Sequence, residues 1–124
     1  MEREIYTNLF ELEDAHWWFQ GRRAVVWALL ERAGVPPHAQ ILDAGCGTGR
    51  NLIEYGGLGD AVGIEPSPDA IAFCAERGLT AIRSGVEDLP FEDDRFDLVL
   101  MLDVLEHIAD DGAALRELRR VTRP

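Results

Sequence analysis

The residues with the clearest capacity for chemistry lie in one short segment, Asp43 to Gly49, which reads Asp-Ala-Gly-Cys-Gly-Thr-Gly. Glycines permit the positive φ angles of a tight turn and let a ligand lie against bare backbone. A helix that starts directly after such a turn also offers unpaired N–H groups. The segment therefore predicts a ligand-binding turn, although a turn that merely links a strand to a helix would have a similar composition.

A second candidate is the carboxylate of Glu65, which lies 20 residues after Gly45. In a doubly wound parallel sheet the tip of the second strand lies beside the turn that follows the first strand. A carboxylate at that tip accepts hydrogen bonds from the vicinal hydroxyls of a ribose. Glu65 therefore predicts a nucleoside-bearing cofactor, and the alternative is a solvated carboxylate at the start of a helix, ahead of Pro66.

The turn and the carboxylate together fit any nucleoside cofactor, including NAD, so the spacing of the glycines has to distinguish them. The dinucleotide fingerprint is G-x-G-x-x-G, whereas here the glycines occupy positions 45, 47 and 49 and Arg50 stands where that pattern requires the last glycine. A carboxylate at Asp43 disfavours a pyrophosphate and suits a cofactor with a sulfonium and an ammonium group. A cationic cofactor is therefore favoured, and a nicotinamide-dependent oxidoreductase is the weaker alternative.

The elements that must position these residues alternate between helices and strands. Residues 1–37 predict two helices, the second ended by Gly34 and the following prolines. Within residues 38–124, strands are predicted at 40–44, 61–65, 80–83 and 96–102, and helices at 50–55, from Pro68 onward and at 110–121. Strands separated by helices pair in parallel through right-handed crossovers. We therefore expect a single α/β domain over residues 1–124, with a Rossmann-like, mostly parallel sheet and helices on both faces.

The composition narrows the classes of partner. Of the 124 residues 47% are hydrophobic, and 23 acidic against 12 basic side chains give a formal net charge of -11. This charge repels a phosphate backbone and an anionic membrane surface, so we expect neither nucleic acid nor a membrane as a partner. No apolar stretch approaches the roughly 20 residues that span a bilayer, and the N-terminus is too charged for a signal peptide, so we expect a cytoplasmic location. Cys46 and Cys74 have no CxxC spacing, so we expect free thiols and no metal site.

Four segments resemble, in order, the motifs of the class I S-adenosylmethionine-dependent methyltransferases. They are Ile41 to Gly49, Val62 to Ser67, Val86 to Phe91, and Phe96 to His107. The resemblance covers roughly residues 16–124 and is specific in its combination. It implies S-adenosylmethionine as the cofactor and methyl transfer to a small-molecule acceptor.

The resemblance also implies which residues face the cofactor. They are Asp43, Gly45, Cys46 and Gly47 at the methionine part, Glu65 and Pro66 at the ribose, Val86 and Glu87 at the adenine, and Leu102 and Asp103 near the methionine end. Members of the family usually have an aspartate that accepts from the adenine amino group where this chain has Gly85. The carboxylate of Glu87 or Asp88 would supply an acceptor instead, together with the backbone N–H of Val86 as a donor. The alternative is that these acidic residues are plain charges of a solvated loop.

Two histidines, His107 and His16, are candidates for proton transfer. A lone histidine at a helix start or beside tryptophans is more often a packed or hydrogen-bonding residue, so the general base stays unassigned. The neighbouring aromatic residues Trp17, Trp18 and Phe19 have two interpretations. They form a lid over the sulfonium, whose charge attracts an aromatic face, or they pack in the core.

The sequence predicts four strands, whereas a complete domain of the resembled family has seven. We therefore expect the C-terminal part of the domain to be missing, in a truncated enzyme or in a natural short form completed by a partner. A noncatalytic cofactor-binding module is the main alternative to an active enzyme. The fourth strand would lie at an edge of the sheet, which predicts a homodimer in which residues 97–102 pair antiparallel with their copy. The alternatives are a monomer in which a rearrangement covers this edge and a dimer with a different contact.

Overall fold

The computed structural model describes residues 2–13, 16–102, 104 and 108–124. In chain order the elements are α1 (Glu2–Leu12), α2 (Trp17–Ala33), β1 (Ala39–Ala44), α3 (Arg50–Tyr55), β2 (Gly59–Glu65), α4 (Pro68–Glu76), β3 (Ala81–Arg83), β4 (Leu98–Leu100) and α5 (Asp111–Val121). The predicted α/β class and the two N-terminal helices are confirmed. Among the described residues, no helix is both long and apolar enough to cross a membrane.

The strands form one parallel sheet in the order β3-β2-β1-β4. β1 is central, and its Asp43 lies in register with Gly63 of β2 and Leu100 of β4. The carboxyl ends of parallel strands meet at one edge of a sheet, and ligands bind outside that edge. The topology therefore brings Asp43 and Glu65, each at or near the end of its strand, to the same side of the molecule.

Both faces of the sheet are covered, because successive residues of a strand point to opposite faces. On one face Ala39 and Ile41 of β1 pack with Leu30 of α2 and Tyr55 of α3. The opposite face carries a second cluster, formed by Leu42, Ala44, Ile64, Phe96, and Ala114 and Val121 of α5. Burial on both faces explains why the strands are apolar runs rather than alternating patterns.

The helix ends follow the local sequence signals. Gly34 adopts a left-handed conformation with φ 75° and ends α2, and its backbone N–H donates to the carbonyl of Leu30 at 3.2 Å. Ser67 caps α4 by accepting a hydrogen bond from the N–H of Ala70, and Pro68 occupies the first turn. Both ends agree with the sequence prediction, since glycine tolerates the left-handed region and proline needs no N–H at a helix start.

β4 is shorter than the predicted strand 96–102, and the side chain of Asp97 explains where it begins. The Oδ2 atom of Asp97 accepts a hydrogen bond from the N–H of Gln40 at 2.8 Å, and its own N–H donates to the carbonyl of Gln40 at 2.8 Å. The N–H of Phe96 instead donates outward to the carbonyl of Val121, at 2.8 Å. Regular pairing with β1 therefore starts only at Leu98.

α1 docks on α4 through an aromatic contact. The rings of Phe10 and Phe73 stack with centroids 4.7 Å apart, and the guanidinium carbon of Arg77 lies 4.3 Å from the centroid of Phe10. This contact places α1 beside the carboxyl edge of the sheet. The domain bounds proposed from the sequence stay a prediction.

Candidate cofactor site

The turn after β1 is built as its glycines predict. Gly45, Gly47 and Gly49 all have positive φ angles, of 81°, 56° and 89°. A Cβ atom added at Gly45 would lie 2.4 Å from a methyl carbon of Val104, whereas one added at Gly47 would meet no atom within 4 Å. Gly45 is therefore required by packing, and Gly47 leaves open space beside the backbone.

Glu65 closes one side of this turn. Its Oε1 atom accepts a hydrogen bond from the N–H of Gly47 at 3.3 Å, and its Oε2 atom accepts one from the N–H of Ser67 at 2.8 Å. The residue is buried. A carboxylate oxygen accepts more than one hydrogen bond, so a carboxylate at this place can bind the backbone and a ligand hydroxyl together.

Asp43 lies next to the turn and is buried at the end of β1. Burial raises the pKa of its carboxyl from 3.8 to about 7, with the positive charge of Arg22 lowering the pKa and the negative charge of Glu65 raising it further. A cationic ligand would stabilise the ionised form of this buried carboxyl group, because the ligand's charge replaces part of the lost hydration.

Two adjoining cavities, of about 140 and 540 Å³, open around the turn. Leu9, Gly45, Gly47 and Leu102 line both. The smaller cavity adds Asp43, Cys46 and Arg22 to its lining, and the larger adds Glu65, Pro66, Gly85, Val86 and Glu87. Nine of the ten cofactor residues expected from the sequence therefore meet at one double cavity. The tenth, Asp103, lies outside the described residues.

The part of the larger cavity lined by Gly85, Val86 and Glu87 shows where the carboxylate of Glu87 lies. A Cβ atom added at Gly85 would lie 2.7 Å from the Oε2 atom of Glu87. The carboxylate of Glu87 therefore folds back over Gly85, into the space where a side chain at position 85 would begin. That Glu87 supplies an acceptor for an adenine stays a prediction.

The histidines and tryptophans do not line either cavity among the residues that the structure describes. The Nδ1 atom of His16 accepts a hydrogen bond from the N–H of Trp18 at 3.3 Å and caps α2. Trp17 and Trp18 are exposed, by 75% and 46%, so they are not core residues, and a lid role for them stays a prediction. Of that aromatic group, Phe19 alone reaches the smaller cavity. His107 lies outside the described residues.

Sequence reasoning missed the contribution of α1. Tyr6 and Leu9 line the larger cavity, and Leu9 and Glu13 line the smaller one. Positions 6, 9 and 13 follow helical spacing, and this periodicity was the available signal. It is weak because the three side chains share no chemical type.

Glu13 fastens the end of α1 to the glycine turn. Its carboxylate accepts a short hydrogen bond from the hydroxyl of Thr48 and one from the Nη1 atom of Arg77 at 3.4 Å. The same Nη1 atom donates to the backbone carbonyl of Thr48 at 3.1 Å. Glu13 and Thr48 are buried, so this network holds α1, α4 and the turn together without much solvent screening.

A family model described as a methyltransferase domain matches residues 42–124, which include the turn, Glu65 and α5. The chain belongs to this methyltransferase domain family. The match starts inside β1 and leaves α1 and α2 outside the matched region.

Two curated relatives carry methyltransferase names. Demethylmenaquinone methyltransferase of Mycolicibacterium paratuberculosis is 34% identical over 122 residues, covering 98% of this chain and 50% of that protein. Ubiquinone biosynthesis O-methyltransferase of Azorhizobium caulinodans is 38% identical over 92 residues, covering 68% of this chain and 36% of that protein. The chain thus spans about half, or less, of the length of these relatives.

Solved structures support the fold. A Methanococcus maripaludis protein assigned as an S-adenosyl-L-methionine-dependent methyltransferase superposes with a TM-score of 0.84 at 18% identity, covering 98% of this chain and 59% of that one. The cyclase SpnF superposes with a TM-score of 0.76 at 26% identity, covering 86% of this chain and 43% of that one. The Rossmann-like methyltransferase fold is therefore confirmed, α1 and α2 included.

Proposed function

We propose that this chain binds S-adenosylmethionine across the double cavity and forms the cofactor-binding part of a methyltransferase that acts on a small molecule. The observation that carries the proposal is the convergence of the carboxylates of Asp43 and Glu65 on one glycine turn, with Gly47 open to both cavities. A nucleoside with a cationic tail needs this combination of groups.

The larger cavity suits the adenosine part. Glu65 at its wall would accept hydrogen bonds from the ribose hydroxyls. Val86 and Glu87, which line the same cavity, would meet the amino edge of the adenine. The backbone of Gly47 leaves room for the sugar to pass close to the turn.

The smaller cavity suits the methionine part. Asp43 would face the ammonium and sulfonium charges, and Arg22, whose charge acts on Asp43, would face the carboxylate of the same moiety. The cofactor, when bound, supplies a methyl group on a positively charged sulfur. The residues of this chain orient that group and exclude water, since methyl transfer to an aligned acceptor needs chiefly positioning.

The electrostatics of the site favour the charged form of the cofactor over its neutral product. Asp43 and Glu65 are both buried, so their attraction for a sulfonium is weakly screened. Loss of the methyl group removes that charge, and the product is held less tightly. Release of the product is thereby assisted.

The acceptor belongs to the proposal as a class only. The two curated relatives are named as a demethylmenaquinone methyltransferase and a ubiquinone biosynthesis O-methyltransferase, which favours a small molecule. The cytoplasmic location and the homodimer through the edge strand also stay predictions.

Titration calorimetry of the 124-residue chain with S-adenosylmethionine, and separately with NAD, tests the cofactor. We expect heat and saturation with the first and none with the second. Saturable binding of NAD, or no binding of S-adenosylmethionine by the folded chain, would contradict the proposal.

One observation favours a second candidate function, in which the cofactor binds without methyl transfer. SpnF, which has the same fold at 26% identity, is named as a cyclase. Transfer of an isotopically labelled methyl group to demethylated quinols separates the two functions. Labelled product supports the methyltransferase, whereas cofactor binding with no labelled product under conditions where a full-length relative is active supports the second candidate.

A further inference from the structure

Two side chains of α5 hold the loop between β3 and β4, which lines the adenine end of the larger cavity. Arg120 donates from Nη1 to the carbonyl of Phe91 at 2.8 Å and from Nη2 to the carbonyl of Leu89 at 3.2 Å. Glu117 accepts a hydrogen bond on Oε2 from the N–H of Leu89 at 2.8 Å. Both backbone groups of Leu89 are therefore bound to side chains of one helix.

Arg120 and Glu117 also bind each other. The Nε atom of Arg120 donates to Oε1 of Glu117 and its Nη2 atom donates to Oε2, both at 2.9 Å. A bidentate pair of this kind fixes the plane of the guanidinium and of the carboxylate together. A further bond of 2.9 Å, from Nη1 to Asp93, ties the far side of the loop to the same guanidinium.

These bonds replace the strand or helix pairing that the loop lacks. Residues 84–95 form neither a helix nor a strand, so their backbone groups need other partners. Val86 and Leu89 are buried and anchor the loop in the core cluster shared with α5. The segment from Gly85 to Glu87 lines the cavity. Its position is therefore set by the end of β3 on one side and by the bonds to Leu89 on the other.

We infer that Arg120 and Glu117 are positioning residues for adenine recognition: by fixing Leu89 they set where the backbone of Val86 and the carboxylate of Glu87 stand in the larger cavity. Neither side chain lines either cavity, so both act through the loop. The inference rests on the proposed cofactor function. It means that two residues of α5 determine how strongly the site prefers adenine over another base.

The arrangement requires an arginine at position 120. The guanidinium reaches two carbonyl oxygens and two carboxylates at once, whereas a lysine ammonium is a point charge that cannot hold this planar set. The pairing with Glu117 and Asp93 raises the pKa of Arg120, and the hydrogen bond from Arg120 lowers the pKa of Glu117. Both groups therefore stay ionised around neutral pH.

The test compares affinities for S-adenosylhomocysteine and S-inosylhomocysteine, which differ only at the amino edge of the base. The wild-type chain should prefer the adenosine compound. In Arg120→Met the preference should fall by about tenfold, the factor that corresponds to one hydrogen bond of about 1.4 kcal/mol. Affinity for the inosine compound should change much less, because the contacts of Glu65 and the glycine turn are untouched.

Matched variants separate positioning from general stability. Arg119→Met removes the same charge from an exposed neighbour on α5 and should keep the wild-type preference. Arg120→Lys keeps the charge and should still lose most of the preference. If Arg120→Met does not fold, Glu117→Gln takes its place in the test. The amide retains an acceptor for the N–H of Leu89 and loses half of the pairing with Arg120, so the preference for the adenosine compound should again fall.

The outcomes are distinct. A folded Arg120→Met chain that keeps the wild-type preference, or that loses affinity for both compounds equally, overturns the inference. A wild-type chain that binds both compounds equally overturns it too, while the proposed cofactor binding stands. A wild-type chain that binds neither compound overturns the proposed function and the inference with it.

Discussion

The N–H of Gly47 donates to the Oε1 atom of Glu65 across 3.3 Å, so the carboxylate at the end of β2 helps to hold the turn that follows β1. The two residues belong to different βα units and meet because β1 and β2 are parallel neighbours. Glu65 both holds the turn and lines the larger cavity, so a ligand that contacts its carboxylate would also affect the turn. Changes at Glu65 should therefore affect both stability and binding.

Replacement Glu65→Ala should weaken S-adenosylmethionine binding by about 1.5–3 kcal/mol, because charge-assisted hydrogen bonds to the ribose are lost. It should also lower the free energy of unfolding by about 1–2 kcal/mol, because the N–H groups of Gly47 and Ser67 lose their acceptor. Calorimetry and chemical denaturation measure the two effects. Glu76→Ala, an exposed glutamate at the end of α4, is the control and should change neither. Unchanged affinity in the folded Glu65 variant would show that the carboxylate does not contact the ligand.

Replacement Gly47→Asn should abolish cofactor binding at little cost in stability. The turn at this position is open, with no atom within 4 Å of an added Cβ, and the residue lines both cavities. Asparagine tolerates the positive φ of 56° better than other residues with a side chain. Its amide would project into the space that the ligand needs.

Gly78→Asn provides a matched control for this variant. Gly78 has a similar φ of 73° and equally open surroundings, and it does not line either cavity. The two variants should unfold at similar denaturant concentrations, and only the one at position 47 should lose binding. Equal binding by both, measured by titration, would mean that the ligand does not pass Gly47.

How much of this site follows from the sequence depends on the range of the signals. The turn and Glu65 were predictable because each lies at the end of its own strand, and the parallel topology alone brings them together. The role of Tyr6, Leu9 and Glu13 was not, because α1 reaches the site through contacts between residues far apart in the chain, such as Phe10 with Phe73 and Glu13 with Arg77. No local pattern encodes such a contact.

The same distinction applies to the loop between β3 and β4. The segment Val86 to Phe91 resembles a family motif, yet no sequence feature predicts that the carboxylate of Glu87 folds back over Gly85. The bonds from Arg120 to Leu89 and Phe91 span about 30 positions in the chain. No sequence feature distinguishes an arginine that binds a distant loop in this way from an arginine that is solvated on the polar side of a helix.

Affinity for S-adenosylmethionine should rise with pH up to about 7 and then level off. Asp43 has its pKa raised to about 7 by burial, so below that pH a cationic ligand must first displace a proton from it. The expected gain is up to tenfold per pH unit, about 1.4 kcal/mol. Asp43→Asn should bind more weakly at pH 8 and should lose this pH dependence in calorimetry. A wild-type affinity that is constant from pH 6 to 8 would exclude Asp43 from the ligand contacts.

The same group makes a prediction for the unliganded chain. Its pKa in the folded state is raised above the ordinary 3.8, so between pH 4 and 7 the folded chain keeps a proton that the unfolded chain has released. The free energy of unfolding contributed by Asp43 should therefore fall as pH rises through this window, by up to about 1.4 kcal/mol per unit. Asp43→Asn should be more stable than the wild type at pH 8 and closer to it at pH 4. The difference between the two chains, measured by denaturant titration, isolates this group from the other carboxylates.

The edge-strand dimer is best tested at the backbone of β4. A charged substitution at Leu100 would disturb the core, because that side chain is buried in one cluster with Leu30 and Tyr55. Both backbone groups of Gln40 face β4, through Asp97. The backbone N–H and carbonyl groups of alternate strand residues point to the same side, so those of Leu42 also face β4. Leu42 is in register with Val99. In a parallel ladder its backbone groups therefore bond to the residues on either side of Val99. The N–H and carbonyl of Val99 then point away from β1, toward a partner strand.

Removal of the backbone N–H of Val99 should dissociate a dimer that forms through β4. The wild-type chain at micromolar concentration should sediment as a dimer, since an uncovered edge strand offers its backbone to a copy. Val99→Pro removes an outward-facing donor without touching the bonds to β1, as edge strands tolerate, and should sediment as a folded monomer. Val99→Ala keeps the N–H and loses part of the side chain, so it should stay dimeric. A monomeric wild type, or a dimer that persists in a folded Val99→Pro chain, would place any self-association elsewhere on the molecule.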